Sequence, residues 1–255
     1  MGKNKKLELE GKIFSTNNCG DLKIIKYNGA TNVIVEFITT KTIHSTTMSN
    51  IKSGSVSDPM YPTVYGVGYM GIGEYKSRIG INPQTVCYKR WKEILNRCYN
   101  PECSAYKFYG GDGAFICEEW KNFQNFASWW YSNFPNWEGI KIAIDKDLLC
   151  KGNKEYCPEY CCFLPQEINE ALTLRKKERG DYPVGVRLKE GKIIAQINYM
   201  GNKKHLGTFS TVEDAFAKYK IEKEKCMKEY ADKYKNILSE RVYQALYNYT
   251  INIDD

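Results

Sequence analysis

The tightest constraint on this chain lies between Tyr182 and Phe209. Three short β-rich runs, Val184–Lys189, Lys192–Tyr199 and Lys203–Phe209, are separated by turns at Glu190-Gly191 and Met200-Gly201-Asn202. Thr211 followed by Asp214 forms a capping signal, and a long helical stretch runs on to about Lys235. Strand side chains alternate between two faces. In the middle run Ile193, Ala195, Ile197 and Tyr199 share one parity, which fits packing on the helix that follows. Ile194, Gln196 and Asn198 share the other. Arg187 and Lys189 match in parity on the first run, and Lys203 and His205 on the third. The expected open face therefore presents Arg187, Lys189, Gln196, Asn198, Lys203 and His205.

Those six suit a nucleic-acid groove. Arg can pair with a guanine edge through two hydrogen bonds, and Gln or Asn with adenine. Lys and His can sit against phosphate. A solvated sheet face with no binding role usually mixes Glu with Lys and Thr, and none of these six is acidic. Charge points the same way. The chain has 37 basic and 30 acidic residues, and residues 175–207 hold nine of the former and three of the latter. Nearly the whole excess of +7 sits there. So local a basic surface is the footprint of a polyanion binder, the alternative being a merely solvated face.

The rest of the chain reads as two further parts. Residues 1–51 form a small β module, with strands at Leu22–Tyr27, Val33–Phe37 and Thr39–Thr47. Residues 52–83, rich in Gly, Ser, Pro and Tyr, form a linker or an irregular, aromatic-pinned arm. Residues 84–174 form a mixed α/β unit, with helices at Thr85–Tyr99 and Glu118–Phe134 and a Gly-rich turn at Tyr109–Gly113 between them. Strands follow at Ile140–Leu149 and Cys161–Leu164, then a helix opened by Pro165 and running to about Leu174. Strand, loop, strand, helix make a ββα unit. Residues 175–255, with a basic connector Arg175–Arg179, complete an α+β chain whose last part is a three-stranded antiparallel sheet packed on a helix.

Two family resemblances are carried by particular residues. Tyr182-Pro183-Val184-Gly185-Val186-Arg187, Gly191-Lys192-Ile193-Ile194-Ala195-Gln196-Ile197, and Leu206 to Ala215 with Ala217 and Tyr219, closely resemble the ethylene-response-factor (apetala-two) DNA-binding domain. The likeness spans about 45 residues, near 180–226. It implies a three-stranded sheet lying in the major groove, with the same six residues facing DNA. Ile193 stands where an aromatic is usual, Lys203 and His205 where Arg or Trp often stand, and the loop at Glu190-Gly191 is shorter, so no target sequence carries over.

Outside plants, such a domain often ends homing endonucleases of the HNH type in bacteriophages and mobile elements. Residues 84–172 resemble that family at Arg97-Cys98-Tyr99, Tyr109-Gly110-Gly111, Cys117, Trp120, Ile144-Asp145-Lys146-Asp147, Tyr156 to Cys161, and Asn169. The resemblance implies a ββα nuclease site with a divalent metal and a histidine base. The histidine position is Lys146, the middle Asn position is Tyr160, and the only two histidines are His44 and His205. Candidate catalytic residues are Asp145, Lys146, Asp147 and Asn169, and Mg2+ or Mn2+ would be held by Asp145, Asp147 and Asn153. Their plainer role is in turns and caps. A zinc site from Cys98, Cys103, Cys150, Cys157, Cys161 and Cys162 is the other metal candidate, weakened by the lack of any C-x-x-C pair.

No apolar run reaches the roughly 18 residues of a membrane span, and the basic start has no signal-peptide core. The expected location is the cytoplasm, of an infected host cell if the chain is phage-encoded. The expected function is sequence-specific binding of double-stranded DNA beside a degenerate cleavage site. An active metal-dependent endonuclease, and a non-catalytic regulator or structural factor, remain the alternatives.

Overall fold

The computed structural model describes residues 8–81, 83–174 and 181–255. The basic connector Arg175–Arg179 and the first residues of the chain lie outside them. The chain is mixed α+β, with an antiparallel sheet near its N-terminus and a three-stranded antiparallel sheet near its C-terminus. It divides into two compact units, Met1–Ser132 and Asn133–Asp255.

In the first unit, β1 (Ile13–Ser15), β2 (Asp21–Tyr27), β3 (Val33–Phe37) and β4 (Ile43–Thr46) form an antiparallel sheet in sequence order. The alternation of β2 and β3 explains the core beneath it. Leu22, Ile24, Val33, Val35 and Phe37 are buried on one face and packed with Met48 and Ile51 of the short helix α1 (Met48–Lys52). The third run is shorter than the Thr-rich stretch suggested, because Lys41 takes a positive φ in the turn before it. His44 lies exposed on β4.

Helix α2 (Val86–Tyr99) is capped by Thr85, whose side chain accepts from Tyr88 N. It buries Cys87, Trp91, Ile94, Leu95 and Cys98 along one stripe. The single helix expected over Glu118–Phe134 is two: α3 (Glu118–Lys121) and α4 (Phe123–Asn133), after the two-residue β5 (Phe115–Ile116). Asn122 adopts an extended conformation between them. The break frees backbone groups that the 52–81 arm satisfies: Tyr69 N donates to Lys121 O and Phe123 N donates to Tyr69 O, each at 2.9 Å. The Gln124 amide, 9% exposed, ties the arm again. Its Nε2 donates to Met70 O and Tyr75 O at 3.0 Å, and its Oε1 accepts from Tyr75 N.

In the second unit, β6 (Ile142–Asp145) pairs antiparallel with β8 (Cys162–Pro165), and α5 (Gln166–Leu172) follows directly. β7 (Glu155–Tyr156) lies in the connection. Then come β9 (Val186–Lys189), β10 (Lys192–Tyr199) and β11 (Asn202–Phe209), with β10 central, and helix α6 (Val212–Lys233) and helix α7 (Glu240–Tyr247). Thr211 caps α6 by accepting from Asp214 N, and its hydroxyl donates to the Asp214 carboxylate in return. One core runs through all of this. Leu164 of β8 and Ile168 of α5 share it with Val186, Ala195 and Ile197 of the sheet and with Ala215, Tyr219, Cys226, Met227 and Tyr230 of α6.

Two positions show how close that packing is. Gly185 has φ +79°, and a Cβ there would fall 2.0 Å from the Tyr219 ring, so the backbone before β9 lies directly on α6. Lys223 is only 4% exposed, and its ammonium donates to the Ala171 carbonyl, tying α6 to the last turn of α5. Burial lowers its pKa to about 8.

Gly185→Ala should therefore destabilise the protein by at least about 2 kcal/mol, from left-handed strain and overpacking together. Urea unfolding checks this. For Lys223 the native state releases its proton at lower pH than the unfolded chain does. Its contribution to stability therefore rises as pH climbs from about 8 towards 10.5 and is lost as pH falls through about 8. Thermal unfolding across that window should show wild type gaining on Lys223→Met with rising pH.

Candidate nucleic-acid interface and the hairpin–helix element

The open face of the C-terminal sheet follows from two tight hairpins and one bulge. Both hairpin loops have two residues with positive φ: Glu190 (51°) and Gly191 (72°), then Met200 (49°) and Gly201 (83°). That is the type I′ geometry matching the twist of the strands. They fix Lys189 opposite Lys192 and Tyr199 opposite Asn202. Asn202 therefore begins β11 rather than ending the turn.

Residues paired across an antiparallel ladder point to the same side. Arg187, Ile194 and Thr208 form one cross-strand row, Gln196 and His205 another, and Asn198 and Lys203 a third, with the Lys189–Lys192 pair at the end. All six residues expected on the open face stand on it together. Arg187, Lys189, Asn198, Lys203 and His205 are exposed, and Gln196 is half-buried. The opposite side carries Val186, Ala195 and Ile197 into the core, with Ile193, Tyr199 and Phe209 packed against it.

The register between β10 and β11 slips by one residue after Ala195, with Leu206 as the extra residue and Gly207 at φ +139°. Without that bulge His205, Gly207 and Phe209 would share a face, and the Phe209 ring would leave the core. With it, Thr208 joins His205 and Lys203 outside. Strict alternation along β11 therefore misplaces Thr208. Lys192 was readable from parity, since it matches Ile194 and Gln196. Lys204 turns inward: its ammonium pairs with Glu222 of α6 at 3.2 Å and lies 5.2 Å from the centre of the Tyr199 ring. One acid, Glu190, stands at the rim of the face, at the tip of the first hairpin and 3.9 Å from the Lys189 ammonium. A shallow concavity of about 520 Å³ lies over the sheet, lined mostly by Arg, Lys and His side chains with Glu190, Gln196 and Thr208, and with Ile194 as its one apolar residue.

The second candidate is the loop after β6. It brings Asp145, Lys146, Asp147 and Asn153 together, in an arrangement already closed by the protein's own cation. The Lys146 side chain is buried, and its ammonium donates to Asp147 Oδ1 at 2.5 Å and to the Asn153 carbonyl at 2.6 Å. Tyr156 lies beside it, its ring centre 5.8 Å from Nζ. Asp145 Oδ1 accepts from Asp147 N at 2.9 Å and Leu148 N at 2.6 Å, as a turn cap does. Burial raises the Asp145 pKa against the pull of those two donors. The Asn153 amide is used in full, since Nδ2 donates to Lys146 O and Glu155 O and Oδ1 accepts from Glu155 N. Asn169 lies on α5, where its carbonyl accepts from Thr173 Oγ1 at 3.0 Å.

This donor set does not fit a divalent metal. A dication about 4 Å from the Lys146 ammonium would meet a repulsion of about 8 kcal/mol at an effective dielectric near 20, and the three candidate ligands already serve the loop, Asp147 and the Asn153 carbonyl by holding Lys146 and Asp145 by capping the turn. Among the described residues no group of three or more His, Cys, Asp or Glu is placed to hold a metal ion. None of the cysteines forms a disulfide; Cys98, Cys157, Cys161 and Cys162 are buried, and burial raises the thiol pKa of the last three. Among the described residues no helix is long and apolar enough to cross a membrane.

Comparison with known proteins adds no relative: no family model, no curated protein and no solved structure matches the chain.

Millimolar Mg2+ or Mn2+ should leave the melting temperature unchanged. Lys146→Met should destabilise by about 1 kcal/mol, the usual net worth of lost hydrogen bonds, since Asp147 is exposed and Asn153 half-buried and both can turn to water. Calorimetry with and without metal measures both.

Proposed function

We propose that this protein binds double-stranded DNA in a sequence-specific manner through the open face of β9, β10 and β11. The observation that carries the reading is the register that sets Arg187, Lys189, Gln196, Asn198, Lys203 and His205 on one exposed surface backed by α6. The dimensions agree. Two inter-strand spacings make a backbone about 10 Å across, and the major groove is about 12 Å wide. Lysines stand at both ends of the strands, Lys189 and Lys192 at one and Lys203 at the other, within reach of phosphates along the groove. Arg187, Gln196 and Asn198 stand between them, where base edges would be. In this reading the element formed by β6, β8 and α5 supports the sheet through their shared core and does not cut DNA.

Selection of bound duplexes from a random pool, with and without Mg2+, tests the proposal. The expected result is a defined duplex site recovered intact under both conditions. Lys189→Ala and Lys203→Ala should each weaken binding across all sequences and reduce the salt slope by about one. Arg187→Ala and Gln196→Ala should each cost about 1–3 kcal/mol and relax preference at one position of the site. Equal affinity for heparin, RNA and random duplex would refute sequence-specific binding. Incision of the selected site with metal, lost in Asp147→Ala, would instead place the chain among metal-dependent endonucleases.

A further inference from the structure

Ile194 does not follow the logic of the side chains around it. It lies on the open face, in register with Arg187 and Thr208, at the middle of the central strand. It is 7% exposed yet takes no part in the core beneath the sheet. On its own side Arg187 and Thr208 stand beside it across the ladder, and Gln196 follows two residues on. Arg187 is a long, flexible side chain that can swing away towards a ligand. On a face otherwise polar or cationic, this leaves one branched apolar group lining the concavity, followed along the same strand by Gln196 and Asn198.

We propose that β10 reads A·T pairs spaced along the groove, with Ile194 seated against a thymine C5-methyl and Gln196 and Asn198 on adenine edges. The inference rests on the duplex-binding reading above and names what that face selects. Of the four unmodified bases only thymine presents a methyl group in the major groove, and the Gln or Asn side chain matches the N6 and N7 pattern of adenine. A cytosine amino group against Ile194 would lose its partners from water and gain none, so the same side chain discriminates against C. Side chains of one parity recur about every 6.8 Å along a strand. Ile194, Gln196 and Asn198 thus span about 14 Å, or about four axial steps of a duplex at about 3.4 Å each.

The test uses the full chain and a duplex taken from the random-pool selection, resynthesised with deoxyuridine replacing thymidine one position at a time. Wild type should lose about fourfold in affinity at one position, the effect of one buried methyl group. Ile194→Ala should bind thymine and uracil versions of that duplex equally, while Ile194→Val keeps the preference. Uniform tolerance of uracil by wild type, or a preference that survives in Ile194→Ala, would overturn this inference alone. Selected sites without an A·T pair would do the same. Failure to bind any duplex would overturn the duplex-binding reading with it.

Discussion

Packing of α6 against the inner side of the three-stranded sheet sets everything on the outer side. Ala195 and Ala215 are fully buried and small, and Gly185 lets the backbone before β9 rest on the Tyr219 ring. Larger groups at any of these places would lift the sheet off its helix. Because side chains alternate, fixing Val186, Ala195 and Ile197 inward also fixes Arg187, Ile194 and Gln196 outward. A polar face this small has no packing of its own to hold it, so its order comes from the apolar contacts behind it.

The same core extends into the hairpin and helix formed by β6, β8 and α5, through Leu164 and Ile168. Polar ties reinforce it: Lys233 and Tyr234 at the end of α6 donate to Glu167, and Arg241 of α7 donates to the Glu159 carbonyl. The loop within that element solves its own charge problem. A buried ammonium needs an anion and hydrogen-bond acceptors, and Lys146 finds them in Asp147 and the Asn153 carbonyl.

Much of the sheet was legible in the sequence. Alternation along β10, two glycine turns and the Thr211 cap are local signals, and each acts within a few residues. The placement of the six side chains on one face followed from them. What was not legible depends on contacts between distant residues. The break at Asn122 exists because Tyr69, far earlier in the chain, pairs with the backbone on either side of it. The strand β1 and the helix α1 are too short to show a period. The bulge in β11 is marked only by Gly207, which reads equally well as a turn residue. The use of Asn153 as a loop brace rather than a ligand needs three backbone partners that no spacing rule displays.

That bulge has a consequence for how the sheet can change over time. In an unbroken strand a single insertion or deletion exchanges the two surfaces along its whole length. Here the extra residue at Leu206 already sets the two halves of β11 one residue out of phase. The half carrying Lys203 and His205 is held by the hairpin with β10 and by the Lys204–Glu222 pair, and the half carrying Phe209 by the core, so the length of β11 is pinned from both sides of the bulge.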